Sequence, residues 1–181
     1  LITLNNIENI KSIGSHSFEQ IGSGVGIDLI LGSDITIGSH AFAQARIKSI
    51  KLGDNTKVGD YAFNEISTLA RVIMPDDATV TVGAYAFANC YSLEAIDLSK
   101  LVGTVGDYAF SGCGKIASAN LENVEHIGAY AFANCYGITK ISIPNVKTIA
   151  DHAFTKLTDG AMAPQFTEIE LPNTLTSIGA Y

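Results

Sequence analysis

A six-residue pattern recurs along nearly the whole chain, and this repetition limits the fold more strongly than any other feature of the sequence. Each copy reads apolar residue, Gly, any residue, Tyr or His, small residue, Phe. The copies end at Phe18, Phe42, Phe63, Phe87, Phe110, Phe132 and Phe154. Ala150 replaces the glycine in the last of these, and an eighth copy begins at Ile178. Successive phenylalanines are 21 to 24 residues apart, which indicates one solenoid coil per copy.

A second apolar segment lies between most copies, with apolar residues at its first, fourth and sixth positions. Examples begin at Ile47, Leu69, Leu93, Ile138 and Phe166. The last two apolar positions alternate with other residues as in a half-buried strand, and Pro75, Pro144 and Pro172 directly follow three of the segments. We therefore expect these segments to pair in the main parallel ladder. Shorter strands before each glycine and one helical turn over each Tyr-Ala-Phe-Ala-Asn-Cys piece are expected to complete the coil.

These residues suggest a family. The strand pattern Leu-x-x-Ile-x-Ile-Pro, followed by Val-x-x-Ile-Gly-x-x-Ala-Phe-x-x-Cys, resembles the BspA-like leucine-rich repeats of bacterial and some protist cell-surface proteins, and residues 83–91 return unchanged at 128–136. The resemblance implies a right-handed leucine-rich-repeat solenoid with a parallel strand ladder, which we class as α/β. It also implies an extracellular or cell-surface location, adhesion to host or extracellular-matrix proteins, and no catalytic residues.

We expect residues 1–181 to form a single solenoid domain of seven to eight repeats, each 21 to 29 residues long. About seven additional residues, 158–164, are expected to form a surface loop. Because the chain begins without Met and inside a repeat, we interpret it as part of a longer protein.

Charge and hydropathy exclude several partners. A net charge of −7 repels the phosphates of nucleic acids and of anionic membranes. No run approaches the roughly 20 apolar residues that a membrane-spanning helix needs, so we expect no direct membrane insertion of this segment.

Cysteines and aromatic residues also recur at fixed positions. Cys90, Cys113 and Cys135 each follow a motif Phe by three residues, where other copies have apolar residues, so buried free thiols are favoured over a disulfide or a metal site. The Tyr or His position contains His16, His40, Tyr61, Tyr85, Tyr108, Tyr130 and His152. This aromatic column could stack sugars, but we favour rings that cover neighbouring coils with their polar tips in water.

No pattern of catalytic residues is present. The sequence lacks a Ser/His/Asp set, a His-Glu-x-x-His motif and a phosphate-binding glycine loop, because the glycine-rich residues 22–26 precede a strand instead of linking a strand to a helix. The carboxylate pairs Asp76 with Asp77 and Glu94 with Asp97 could support acid/base chemistry or bind calcium, but such pairs are usually solvated. We expect a non-enzymatic protein with no cofactor.

The outward positions of the expected main ladder provide the strongest indication of function. Extended faces of this kind are the surfaces with which repeat proteins bind partners. The residues of this candidate binding face are Ile30, Lys48, Lys51, Arg71, Ile73, Glu94 and Asp97. They combine a basic and apolar patch with an acidic one, which suits recognition of a protein.

Three hypotheses follow. The first is a cell-surface adhesion or protein-binding module that uses this face, and the second is a rigid spacer with no ligand of its own. A carbohydrate-binding surface is less favoured. An enzyme resembling the parallel β-helix enzymes that act on carbohydrates is also less favoured, because such enzymes need carboxylates and bases clustered on one face and here opposite charges are thinly spread.

Overall fold

The computed structural model describes residues 7, 9–24, 26–77, 79–155 and 169–180. In this part of the chain the strands are β1 (Ser12–Ile13), β2 (Ile27–Ile30), β3 (Thr36–Ile37), β4 (Ile47–Lys51), β5 (Lys57–Val58), β6 (Arg71–Ile73), β7 (Val80–Val82), β8 (Ala95–Ile96), β9 (Leu101–Val105), β10 (Ser118–Asn120), β11 (Val124–Ile127), β12 (Lys140–Ser142), β13 (Thr148–Ile149) and β14 (Ser177–Ile178). All the strand pairs are parallel, as expected for a solenoid whose coils run in one direction.

The longest ladder is on the side of the coil that the sequence analysis treated as secondary. The strands preceding each glycine form one eight-stranded sheet in the order β1-β3-β5-β7-β9-β11-β13-β14. The other strands form a four-stranded sheet, β2-β4-β6-β8, and a separate pair, β10-β12. The expectation that the Leu-x-x-Ile segments build the main ladder is therefore wrong. The sequence also predicts a strand that begins at Phe166. Phe166 lies outside the described part of the chain, and Ile169 and Leu171 are not in a strand.

The expected helical turn on the third side of the coil is also wrong, and the α/β description fails with it. Tyr85 and Asn89 have φ values of 56° and 60°, and equivalent residues of other coils also have positive φ, which interrupts any right-handed helix. The helix of the described residues is one 3-10 turn, Leu98–Lys100. The fold is a solenoid of parallel strands and turns.

The turn side is held by hydrogen bonds between coils. The amides of Tyr85, Phe87 and Asn89 donate to carbonyl oxygens of the next coil at 2.7–2.8 Å. The amides of Ala88 and Cys90, which follow Phe87 and Asn89, instead donate to carbonyls three residues earlier in their own coil, at 3.1 and 3.3 Å. Each left-handed residue costs about 1–2 kcal/mol. The geometry persists because it turns alternate amides towards the neighbouring coil.

Phenylalanine fills the interior between the three sides. Phe42, Phe63, Phe87, Phe110 and Phe132 are buried, while Phe18 and Phe154 at the two ends are partly exposed. Neighbouring rings are stacked with centroids 5.1–5.5 Å apart. The sequence prediction of a single phenylalanine column is confirmed.

Glycine before the turn side is required by the closeness of the coils. A Cβ atom added to Gly38 would lie 2.6 Å from the backbone nitrogen of Ser15, and one added to Gly106 would overlap the backbone of Gly83. The column of glycines therefore allows two backbones to approach where a side chain would separate them.

Truncation of an interior phenylalanine should destabilise the solenoid. Phe110→Ala leaves a cavity between two stacked rings, so we expect a loss of about 3–5 kcal/mol in the free energy of unfolding, measured by urea denaturation. Phe18→Ala, at a partly exposed end of the column, should cost clearly less. Equal stabilities of the Phe110→Ala variant and the parent would contradict the interior column.

Candidate functional site

The four-stranded sheet brings three of the candidate binding residues together. Ile30 pairs with Lys51 across β2 and β4, and Lys51 pairs with Ile73 across β4 and β6. Ile30 and Ile73 are 57% and 43% exposed, which is unusual for isoleucine in strands whose alternate residues, such as Ile50, are fully buried. The three side chains form a column with a basic residue between two apolar ones.

The other two basic candidates lie outside this column. Arg71 lies in a neighbouring column of the same sheet, where it pairs with Ser49 of β4 and with Ala95 of β8. The register of β2 and β4 shifts by one residue between Ile27 and Asp28, so Lys48 occupies a β-bulge. Both side chains are exposed.

The acidic candidates stand at the other end of the face, and one of them has a local structural role. Glu94 is exposed just before β8, where its amide donates to the Ala70 carbonyl at 3.2 Å. The Asp97 carboxylate accepts hydrogen bonds from the amide and hydroxyl of Ser99, at 3.0 and 2.6 Å, and so caps the 3-10 turn. This cap did not emerge from the sequence analysis, although Asp two residues before Ser is a recognisable capping pattern.

The face does not continue along the entire solenoid. No pairing joins β8 to β10 in the described residues, and the 3-10 turn follows β8 at this break. The outward positions Ser118, Asn120, Lys140 and Ser142 therefore belong to the separate pair of strands. The ladder expected from these segments is therefore interrupted on this side of the coil.

Two of the described lysines outside this face form ion pairs, whereas Lys57, Lys100, Lys115 and Lys140 form none with a described residue. Lys11 forms an ion pair with Asp34, and Lys147 forms one with Glu125 at 2.7 Å. Hydrogen bonds from Asn55 and Lys147 are the main reasons why the pKa values of Asp34 and Glu125, respectively, are lowered. Lys48, Lys51 and Arg71 form no ion pair with any described residue. These three basic residues lie on a chain whose net charge is −7.

The aromatic column has its ring faces occupied. From His16 to His152, neighbouring rings stack with centroids 4.5–4.8 Å apart. Burial, together with neighbouring phenols, raises the pKa of Tyr85 and Tyr108. Because each interior ring covers the next, a sugar cannot stack on those faces, and the geometry favours rings that cover neighbouring coils.

A hydrogen-bonded column of aspartates lies beside the aromatic rings, and the sequence analysis missed it. The Asp60, Asp107 and Asp151 carboxylates accept hydrogen bonds from the amides of Ala84, Ala129 and Ala180 in the following coils, at 2.7–2.8 Å. A sequence signal for this column was present. The residue that follows the glycine, or Ala150, of each copy alternates between Asp and Ala from Asp60 to Ala180.

The family is decided by the recurrence of this coil. Six copies of the BspA type leucine rich repeat region match residues 35–159. The chain belongs to the BspA-type leucine-rich repeat family. Proteins of the BspA-type family are typically associated with bacterial surfaces, and leucine-rich repeats generally mediate protein interactions. Such solenoids are typically non-enzymatic.

One solved structure of a leucine-rich repeat protein shares the fold of this BspA-type chain. A leucine-rich repeat protein from Bacteroides ovatus is 24% identical, with a TM-score of 0.59, and the match covers 94% of this chain and 49% of that one. A T. pallidum leucine-rich repeat protein is 22% identical, with a TM-score of 0.46 and coverages of 86% and 74%. The chain thus spans about half the length of the B. ovatus protein, whose similarity shows the fold alone. No curated protein matches the chain.

Other candidate features of the BspA-type chain are less distinctive. Asp76 and Asp77 are exposed in the turn that precedes β7. Across the described ranges, no group of three or more His, Cys, Asp or Glu residues could hold a metal ion. No helix in this part of the protein has the length and hydropathy to cross a bilayer.

The three cysteines form a buried column of free thiols, as the sequence predicted. Each thiol donates to a phenylalanine carbonyl of the preceding coil, at 3.1–3.2 Å. Burial raises the pKa of Cys90 and Cys135 to about 12, and burial together with the neighbouring thiols raises that of Cys113. We expect these thiols to be unreactive, because they are buried and because their raised pKa values disfavour the thiolate form.

Alkaline pH should reveal these buried thiols. Because their folded pKa values exceed the ordinary value of 9.0, the unfolded state loses protons first, and the thiol contribution to stability is intact below pH 9 and declines as pH rises towards 12. Urea denaturation at several pH values should show a steeper decline for the parent than for the triple variant Cys90→Ala, Cys113→Ala, Cys135→Ala. Parallel declines would contradict the assignment, as would rapid reaction of the native thiols with Ellman's reagent at pH 8.

Proposed function

We propose that this chain is a non-enzymatic, cell-surface protein-binding or adhesion module, whose binding face consists of Ile30, Lys48, Lys51, Arg71, Ile73, Glu94 and Asp97. The partner is a protein of a host cell or of the extracellular matrix. The observation that carries the proposal is the column in which Lys51, which forms no ion pair with a described residue, lies between the exposed side chains of Ile30 and Ile73. Family membership supports the same general role.

The composition of the face favours a partner with acidic and apolar side chains. An apolar centre that excludes water strengthens the charge interactions around it, and arginine is common among the residues that dominate binding energy. Lys48, Lys51 and Arg71 present three positive charges beside the two isoleucines. Glu94 and Asp97 limit the patch on the β8 side and disfavour partners whose acidic residues extend beyond it.

The sheet edges give this face definite limits. β2 begins the four-stranded sheet and β8 ends it, so the basic and apolar column occupies the first three strands, and Glu94 and Asp97 flank the fourth. A partner docked here would cover neighbouring coils instead of one loop, as is usual for repeat proteins.

Binding should depend on charge and apolar contact together. In a surface-plasmon-resonance screen of immobilised matrix proteins, the double variant Lys51→Glu/Arg71→Glu should bind any captured ligand at least about tenfold more weakly than the parent, and Ile73→Ala should lower affinity by a similar factor. The double variant should bind more weakly because two charges that attract the acidic partner are replaced by two that repel it.

A matched control separates the local effect from net charge. Lys115→Glu/Lys140→Glu makes the same change in charge at exposed positions outside the four-stranded sheet and should leave affinity within about twofold. If both double variants weaken binding equally, the site is elsewhere. If the parent binds no protein in the screen, the rigid-spacer hypothesis replaces this one.

A further inference from the structure

Two rows of residues cross the four-stranded sheet from β4 to β8, and the charge changes sign along each row. The first row is Lys48, Ala70 and Glu94. The Ala70 amide donates to the Lys48 carbonyl at 3.0 Å, and the Glu94 amide donates to the Ala70 carbonyl at 3.2 Å. Both charged side chains are exposed. A lysine of β4 is thus matched by a glutamate just before β8, with an uncharged residue between them.

The second row repeats this arrangement. Lys51 pairs with Ile73 across β4 and β6. The last residue of β8 pairs with Val72, so Asp97 comes next to Ile73 in the continued register. The row is therefore Lys51, Ile73 and Asp97, and all three side chains are exposed.

These opposite charges cannot satisfy each other within one chain. Two strand spacings, roughly 9.6 Å, separate each lysine from the acidic residue of its row. An ion pair requires about 4 Å, and none of the four side chains forms one with a described residue. One oxygen of the Asp97 carboxylate accepts both hydrogen bonds from Ser99, which leaves the other oxygen for a ligand.

A second copy of the chain, turned by a two-fold axis, meets each of these charges with its opposite. The axis lies over β6 and runs along that strand. The strands of the second copy then run in the same direction, while its coils follow in the reverse order, so that its β8 stands over β4 of the first copy. Lys48 meets Glu94 of the second copy, Lys51 meets Asp97, and each pair occurs twice. Ile73 lies at the axis and meets its own equivalent.

We propose that the strand face binds a second copy of the chain as a symmetric, face-to-face dimer about β6. A two-fold interface uses the same patch on both copies, so the patch must be self-complementary, and the two rows meet this condition. Ile73 supplies an apolar centre with charged pairs around it, as in other protein interfaces. The inference rests on the proposed function in that the strand face is a binding surface, and it adds an occupant to that face.

Two features limit the strength of this dimer. Arg71, Asp76 and Asp77 belong to the coil under the axis, so each meets like charge from its own equivalent. The four strands also cover only about 14 Å by about 16 Å, a few hundred Å² of each copy and less than the roughly 800 Å² of a stable interface. We therefore expect a reversible dimer that forms at hundreds of micromolar chain, on the order of 0.1 mM or above, and that weakens with added salt.

Sedimentation equilibrium of charge-exchange variants tests the proposal. In Lys48→Glu the new carboxylate faces Glu94 of the other copy, and in Glu94→Lys the new ammonium faces Lys48. Because the symmetry turns two attractive pairs into two repulsive ones, each single variant should dimerise at least about fivefold more weakly than the parent at low salt. The double variant Lys48→Glu/Glu94→Lys restores opposite charges across the axis and should dimerise within about twofold of the parent. An equimolar mixture of the two single variants should also form dimers more readily than either variant alone.

Net charge separates this specific pairing from general repulsion between acidic chains. Glu94→Lys brings the chain closer to neutrality, so general repulsion predicts a tighter dimer, whereas the face-to-face arrangement predicts a weaker one. Lys57→Glu makes the same charge change as Lys48→Glu at an exposed position of the eight-stranded sheet. It should leave the dimerisation constant within about twofold of the parent value.

A second variant tests the apolar centre. Ile73→Ala should weaken dimerisation at least about threefold, because the contact between the two isoleucines is lost. Melting temperatures equal to that of the parent will verify that these exposed substitutions leave the fold intact.

The dimer and the matrix ligand of the proposed function can fail separately. The double exchange variant keeps the dimer but changes the order of charges that any other protein meets, so a captured matrix ligand should bind it more weakly. An empty matrix screen leaves the dimer prediction standing. A monomeric parent at about 0.5 mM chain, a Glu94→Lys dimer as tight as that of the parent, or no restoration in the double variant would each overturn the dimer.

Discussion

Every coil of this protein depends on its neighbours for backbone hydrogen bonds. Strand amides pair on two sides, and on the third side alternate amides of the Tyr-Ala-Phe turn donate to the next coil. A single coil would leave these groups unpaired and the phenylalanine column exposed, so it could not be stable alone. The left-handed residues show how strongly this constraint acts, because two unfavourable conformations per turn are tolerated where they direct amides towards the neighbouring coil.

The same in-register stacking creates the surfaces. Since equivalent residues of successive coils lie side by side, any outward position becomes a column, and its chemistry depends on which residues the repeats carry there. The Tyr or His position becomes a stack of rings that covers itself, and the cysteine position becomes a column of inert thiols. Where one coil departs from the pattern, as at the 3-10 turn of Leu98–Lys100, the strand column ends.

Two faces of the solenoid thus differ in character. The four-stranded sheet presents isoleucines and positive charges that form no ion pair with any residue the structure describes. The outward residues of the eight-stranded sheet are mostly Ser and Thr, and the glycines that follow its strands lie where the backbones of neighbouring coils meet. A solenoid can carry both because each face is built from different positions of the same coil.

The sequence by itself determined the period, the phenylalanine column, the buried thiols and the family, because residues that recur at a fixed interval on stacked coils must lie next to their equivalents. It located most individual strands for the same reason. Only the tertiary structure decided which strands form the long ladder, that Lys48 lies in a bulge, that Asp97 caps a turn, and that Tyr85 is left-handed instead of helical. Most of these outcomes depend on hydrogen bonds to a neighbouring coil some twenty residues away in sequence, and local side-chain patterns do not specify the register of those bonds.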